Sequence, residues 1–166
     1  MGGPQTLMTI GALMLLSSLI LSLNNAILGR DLMNYESEAT LTAISIGQSL
    51  LEEVRTRAFD ENTVPPNRAS SPADLTYPDY VGHEDGEEGT ADFDDIDDYD
   101  GFERSVTTTR FGDFKQAVSV YYVRNTNLAD SSNFPTFLKR IDVGVRNSYV
   151  GTPTNTITLS TVIGYR

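Results

Sequence analysis

GGPQTLMTIGALMLLSSLILSLNNAILGR, residues 2–30, is the stretch that decides how this chain is built. No charged side chain precedes Arg30. Its centre, LMTIGALMLLSSLILSL (7–23), is apolar or small and polar throughout. About 20 such residues, wound as a helix, cross a hydrocarbon layer of about 30 Å. Pro4 suits the first helical turn, where its missing N–H is not needed. A helix apolar on every side must be covered on every side, by lipid or by protein. A cleaved secretory signal and a plain single-span anchor are the alternatives. The first normally has a basic leading region and a small-residue cleavage site, and neither is clear here.

The sequence that follows bears on how these are weighed. No proline occurs between Gln5 and Val64. Leu41, Ile44, Gln48, Leu51, Val54 and Ala58 recur at spacings of three and four, and Leu50 and Phe59 widen the stripe. That period predicts an amphipathic helix with one covered face. The reading is one helix from about Pro4 to Phe59, with Asn24, Asn25 and Gly29 its expected weak place. Residues 1–29 form the apolar part and 30–166 a globular head. The head comprises the amphipathic half-helix (30–59), an acidic loop region (60–104) and a sheet (105–166).

Composition narrows the function classes. The 166 residues hold 23 acidic and 12 basic side chains, a net charge of −11, which argues against nucleic acid as a partner. Cysteine is absent, so disulfides, thiolate metal sites and thiol nucleophiles are excluded. One histidine, His83, sits in an acidic loop with no evident nucleophile beside it. No phosphate-cradling glycine loop is present, and catalysis is not expected.

Four prolines, 65, 66, 72 and 78, mark residues 60–80 as loop. Residues 84–103, EDGEEGTADFDDIDDYDGFE, then hold 11 of the 23 acidic groups. Such a run is either a solvated, self-repelling loop or a site for a hard cation, and Ca²⁺ is the cation it suits. Asp92, Asp94, Asp95, Asp97, Asp98 and Asp100 are the candidate ligands. An EF-hand is excluded, because Gly101 in the sixth place of such a loop would put Ile96 in the first. Phe93, Ile96, Tyr99 and Phe102 at intervals of three predict that the loop is pinned to the head. No other cofactor is expected.

The last third reads as antiparallel strands at 115–124, 138–147 and 156–165, with a fourth at 105–111. Ile141, Val143 and Val145 alternate with polar residues, as do Ile157, Leu159 and Ile163. Residues 125–135 and 147–153 are read as connections. A sheet with one wet face needs a cover on the other, and the amphipathic half-helix is the available one. The fold class is therefore α+β, a long helix packed on an antiparallel sheet.

An N-terminal helix, apolar and then amphipathic, on such a sheet resembles the type IV pilin superfamily, including its minor pilins and the pseudopilins of type II secretion. IGQSLLEEVRTRAFDE (46–61) looks like the helix exit of pilin-like proteins, and DFDDIDDYDGF (92–102) like the acidic segment of several minor pilins. The resemblance covers most of the chain as an order of elements and implies a lollipop-shaped subunit. Two departures are visible. No Lys or Arg precedes the apolar run, where the family has a short basic leader. Gln5 also stands where members carry a Glu that neutralises a neighbour's N-terminal amine. Gln5 can still accept a hydrogen bond from such an amine.

The resemblance implies a structural subunit of an extracellular, pilus-like filament. Its partners would be identical copies in a helical homopolymer, and it would rest in the inner membrane before assembly. Leu7, Ile10, Leu13, Leu16, Leu19, Leu23 and Leu28 would form the polymer core. A minor pseudopilin and a membrane-anchored binding domain are the alternatives.

Overall fold

With Pro4 in the first turn and no other proline before Pro65, the N-terminal run winds into one helix, α1, spanning Gly3–Arg55 in the computed structural model. The structure describes residues 2–83, 89–151 and 154–165. Residues 84–88, part of the acidic run, lie outside the described residues, as does Met1. Asn24, Asn25 and Gly29 are helical, so the expected weak place does not break. Their propensity cost, at most about 1 kcal/mol each, is smaller than the cooperative cost of ending and renucleating a helix. The chain divides into two compact units, Met1–Glu38 and Ala39–Arg166.

α1 ends earlier than the apolar stripe suggested. The Thr56 and Arg57 N–H groups donate to the Glu53 and Val54 carbonyls and tighten the last turn. Ala58 then leaves the helix to pair with the acidic loop. Its N–H donates to Asp94 O at 3.1 Å, and its carbonyl accepts from Ile96 N at 3.0 Å.

Within the second unit the covered face of α1 is Ala39, Ala43, Gly47, Leu50 and Val54. This corrects the expected stripe. Leu41 is 66 % exposed, Gln48 is exposed, and Leu51 is only half-buried. The reason is close approach. A Cβ on Gly47 would lie 2.5 Å from Leu159 Cδ1 and 3.0 Å from Val145 Cγ2. The seam therefore selects small side chains, which a search for large apolar residues passes over. Gly47→Val is expected to lower head stability by about 1–3 kcal/mol through overpacking. Adding Leu159→Ala to Gly47→Val should recover part of that loss in thermal unfolding. An undisturbed melting temperature for Gly47→Val alone would refute the close seam.

Four strands form the main antiparallel sheet in the order β1-β2-β4-β5. They are β1 (Glu103–Thr108), β2 (Gly112–Arg124), β4 (Leu138–Arg146) and β5 (Thr156–Gly164). The short β3 (Asn127–Ser131) pairs with the end of β2, where the sequence suggested only a connection. Every β3 residue is exposed, so no alternation betrays it, and Arg140 Nη1 adds a hydrogen bond to the Leu128 carbonyl at 3.2 Å. In the centre the register sets Val118 against Val143 and Val120 against Ile141, and all four are buried. Ile157, Leu159 and Ile163 of β5 are half-buried on the same alternation.

Polar contacts tie α1 to the sheet as well. Gln116 Nε2 donates to the Ile46 carbonyl at 3.0 Å, and Arg104 pairs with Glu53 at 3.1 Å. Phe59 lies beyond α1 in a second cluster with Leu75 and Tyr122, not against Val118 or Val143.

Candidate functional site

Two regions carry the chain's unusual chemistry, and each is described by itself. The first is the apolar part of α1. Fifteen large apolar side chains, from Leu7 to Met33, are each 50–79 % exposed. They include all seven expected core residues, Leu7, Ile10, Leu13, Leu16, Leu19, Leu23 and Leu28. They point in all directions around the axis, because positions such as 13, 14, 15 and 16 cover successive turns of about 100°. Hydroxyls within the run bond back to their own helix. Thr6 Oγ1 donates to Gly3 O at 2.9 Å, and Thr9 Oγ1 to Thr6 O at 2.8 Å. Such internal satisfaction is what an apolar surrounding requires. Gln5 sits in the first turn, its N–H donating to Gly2 O at 3.0 Å. This is one helix long and apolar enough, by length and composition, to cross a membrane.

The second region is the acidic loop. Phe93, Ile96 and Tyr99 are buried, and the rings of Phe93, Tyr99 and Phe102 meet edge to face at 5.0–5.8 Å. The loop is thus pinned by the aromatic spacing visible in the sequence. At its end, Gly101 takes φ 75°, a conformation that suits glycine, while its N–H donates to Val118 O. Arg57 adds a hydrogen bond to the Thr90 carbonyl at 2.9 Å.

The six candidate calcium ligands are divided among different tasks. Asp92 and Asp94 are exposed. Asp100 Oδ1 accepts from Val120 N at 2.8 Å and joins the loop to β2. Asp98 Oδ2 accepts from the Asp94 and Asp95 N–H groups, and Asp95 Oδ1 from those of Asp97 and Asp98. Asp97 turns to Lys139. Among the described residues, no three acidic or histidine groups converge on a point that could hold a metal ion.

The cation at the centre of this cluster is the Lys139 ammonium. Its side chain is fully buried, and Nζ lies 2.8 Å from Asp60 Oδ2, 2.8 Å from the Phe59 carbonyl, and 2.6 and 2.7 Å from the two oxygens of Asp97. The rings of Phe59 and Tyr122 flank it, each centroid 4.7 Å away. Asp60 also accepts from the Tyr122 hydroxyl, from Asn62 N, and from both Thr76 N and Thr76 Oγ1. The same carboxylate caps the short turn Glu61–Thr63.

These surroundings split the carboxylates. Burial pushes Asp60 up, but the Lys139 charge and hydrogen bond, with those from Tyr122 and Thr76, outweigh it and hold Asp60 below the usual range. Burial pushes Asp97 up to about 7 against the pull of Lys139. Burial, reinforced by the charges of Asp97 and Asp98, pushes Asp95 up to about 9, so Asp95 is a neutral acid at pH 7. Its Oδ2 has no hydrogen-bond partner among the described residues.

The linkage has a definite sign. A carboxyl whose pKa is raised by folding stabilises the head fully below its unfolded value near 3.8, and the effect is lost as pH rises towards 7 for Asp97 and 9 for Asp95. Asp60 acts oppositely and is lost as the solution is acidified below its unfolded value. The head is therefore expected to melt at a lower temperature near pH 9 than near pH 5. Asp95→Asn should flatten that alkaline decline. A decline of equal size in Asp95→Asn would exonerate Asp95.

Sequence reasoning missed Lys139, Asp60 and Tyr122. One signal was present: Lys139 is in phase with Ile141, Val143 and Val145, which places it on the inward face of β4. A lysine in such a position calls for a buried acid. Which acid answers it, 79 and 42 residues away for Asp60 and Asp97, is not visible in the pattern.

Compared with known protein families, curated proteins and solved structures, the chain matches none.

Proposed function

We propose that this protein is the structural subunit of an extracellular, pilus-like filament. The apolar half-helices of many copies bundle into its core, and the same helix rests in the inner membrane before assembly. One observation carries the reading: fifteen large apolar side chains, spread around the whole helix, stand uncovered in the single chain. Burial of apolar surface at about 25 cal/mol per Å² favours covering them with like helices. Repeated contacts that do not close on themselves make a helical polymer. The α+β head joined to such a helix, and the strings at 46–61 and 92–102, support the pilin-like assignment over an unrelated anchor.

Electron microscopy of the purified protein tests the proposal. Thin filaments of uniform diameter are expected once detergent is removed. Proteoliposomes decorated with separate heads, with no filament under any condition, would leave a membrane-anchored domain in its place. Short tips found only alongside a secretion assembly would point to a minor pseudopilin.

A further inference from the structure

Cations and carboxylates stand on opposite faces of the sheet in the head, and we propose that the outer face of each head receives the acidic loop of a second copy. Lys115 and Arg146 are the receiving groups, and the exposed carboxylates Asp92 and Asp94 are the groups received. This contact rests on the filament proposed above and gives the way its heads meet.

Lys115 of β2 and Arg146 of β4 are directly opposite in the register, and both are exposed. Like charges placed so repel each other and weaken a sheet. In a chain of net charge −11, neither has an ion-pair partner among the described residues. Other cations of the sheet are answered: Arg140 pairs with Asp142 at 2.8 Å, and Arg104 with Glu53 at 3.1 Å. Beside the unanswered pair, Ala117 and Gly144 are also opposite each other. Their lack of bulk leaves a trough of about 650 Å³ running across the strands, bordered by Glu103 of β1 and Thr156 of β5. Two adjacent cations on such a trough fit a segment that carries carboxylates.

The chain cannot fill its own trough. Lys139, Ile141, Val143 and Val145 face inward on β4, and Asp97 meets Lys139 on that side. The acidic loop therefore lies at the inner face, while Lys115 and Arg146 alternate to the outer one. The sheet separates them. A second copy meets no such barrier, since its Asp92 and Asp94 are open to solvent. Complementary patches on opposite faces of one body make contacts that repeat without closing, as a helical polymer requires. Heads of the same strong negative charge repel at a distance, and a matched contact of this kind sets the register in which they can approach.

Paired charge reversals in the full-length chain test the contact. The trough variant, Lys115→Glu with Arg146→Glu, and the loop variant, Asp92→Lys with Asp94→Lys, should each lose filament yield about tenfold or more when alone. Mixed in equal amounts they should assemble as the unaltered chain does, because each reversed loop then meets a reversed trough. The loop variant alone is the sharper probe. It lowers the net negative charge, so general repulsion between heads predicts more filament from it, not less. In filaments of unaltered chains, half of them isotope-labelled, a zero-length carbodiimide should join Lys115 of one chain to Asp92 or Asp94 of another. Where a variant fails to fold, this cross-link decides. Full yield from either reversal alone, no recovery on mixing folded variants, or cross-links from Lys115 to other carboxylates only, overturns the contact and leaves the filament standing. An unaltered chain that makes no filament removes the filament reading separately. The same cross-link is then sought between heads crowded on proteoliposomes, and its absence there overturns the contact too.

Discussion

Filaments are expected to vanish when Leu16 is replaced by Asp. Leu16 lies mid-way along the charge-free run, and its side chain is 52 % exposed in the single chain. In the proposed polymer it is enclosed by neighbouring helices, where an unpaired carboxylate meets no cation from this segment. A charge at the middle of an apolar layer costs about 3 kcal/mol, and the penalty recurs in every subunit. Leu16→Met, which keeps volume and apolarity, should assemble as the unaltered chain does. The measurement is filament yield after sedimentation, with micrographs to check the form. Normal yield from Leu16→Asp would show that the core lies elsewhere. The head should melt as before, since it is a separate unit beginning at Ala39.

The second large effect concerns Lys139. Lys139→Met should lower the stability of the head by about 3–5 kcal/mol through the ion pair alone, because Asp60 and Asp97 would be left buried without their cation. The direction does not rest on the ion pair being worth much by itself. Buried pairs often add little over a well-packed apolar replacement, whereas half a pair is always costly. The triple variant Lys139→Met, Asp60→Asn, Asp97→Asn separates these effects. It should recover part of the loss, because the stranded charges are gone while the hydrogen bonds from Tyr122 and Thr76 can persist. Denaturant unfolding of the full chain in detergent, followed by circular dichroism of the sheet, supplies the numbers. A Lys139→Met head as stable as the original would mean that the cluster is solvated.

The two effects are of different kinds. Leu16 acts only once copies meet, and its surroundings are other chains. Lys139 acts within one chain and joins three segments far apart in sequence: the stretch after α1 at Phe59 and Asp60, the acidic loop at Asp97, and β4. The cluster therefore holds together parts that the sheet and the helix seam do not reach.

Much of the architecture was legible because it rests on local periodicity. A long apolar run with no proline after its first turn reads as a helix, and alternation around Ile141, Val143 and Val145 makes a strand with one covered face. Apolar residues at 93, 96, 99 and 102, three of them aromatic, likewise announced a pinned loop. Each of these signals is carried by residues within a few positions of one another, so the sequence by itself determined the α+β class, the order of elements and the apolar segment. Three matters were decided only in three dimensions. The covered face of α1 is set by how near Leu159 and Val145 come to Gly47, a distance between elements that no helical period contains. The short β3 exists because backbone groups of Val123 and Arg124 find partners, and backbone pairing leaves no mark on side-chain choice. The fate of the acidic run depends on which cation the fold delivers to it. Charge density is a property of the segment, but the electrostatic energy of a carboxylate depends on burial and on partners a few ångströms away. Here the sheet carries the partner in, as the ammonium of Lys139.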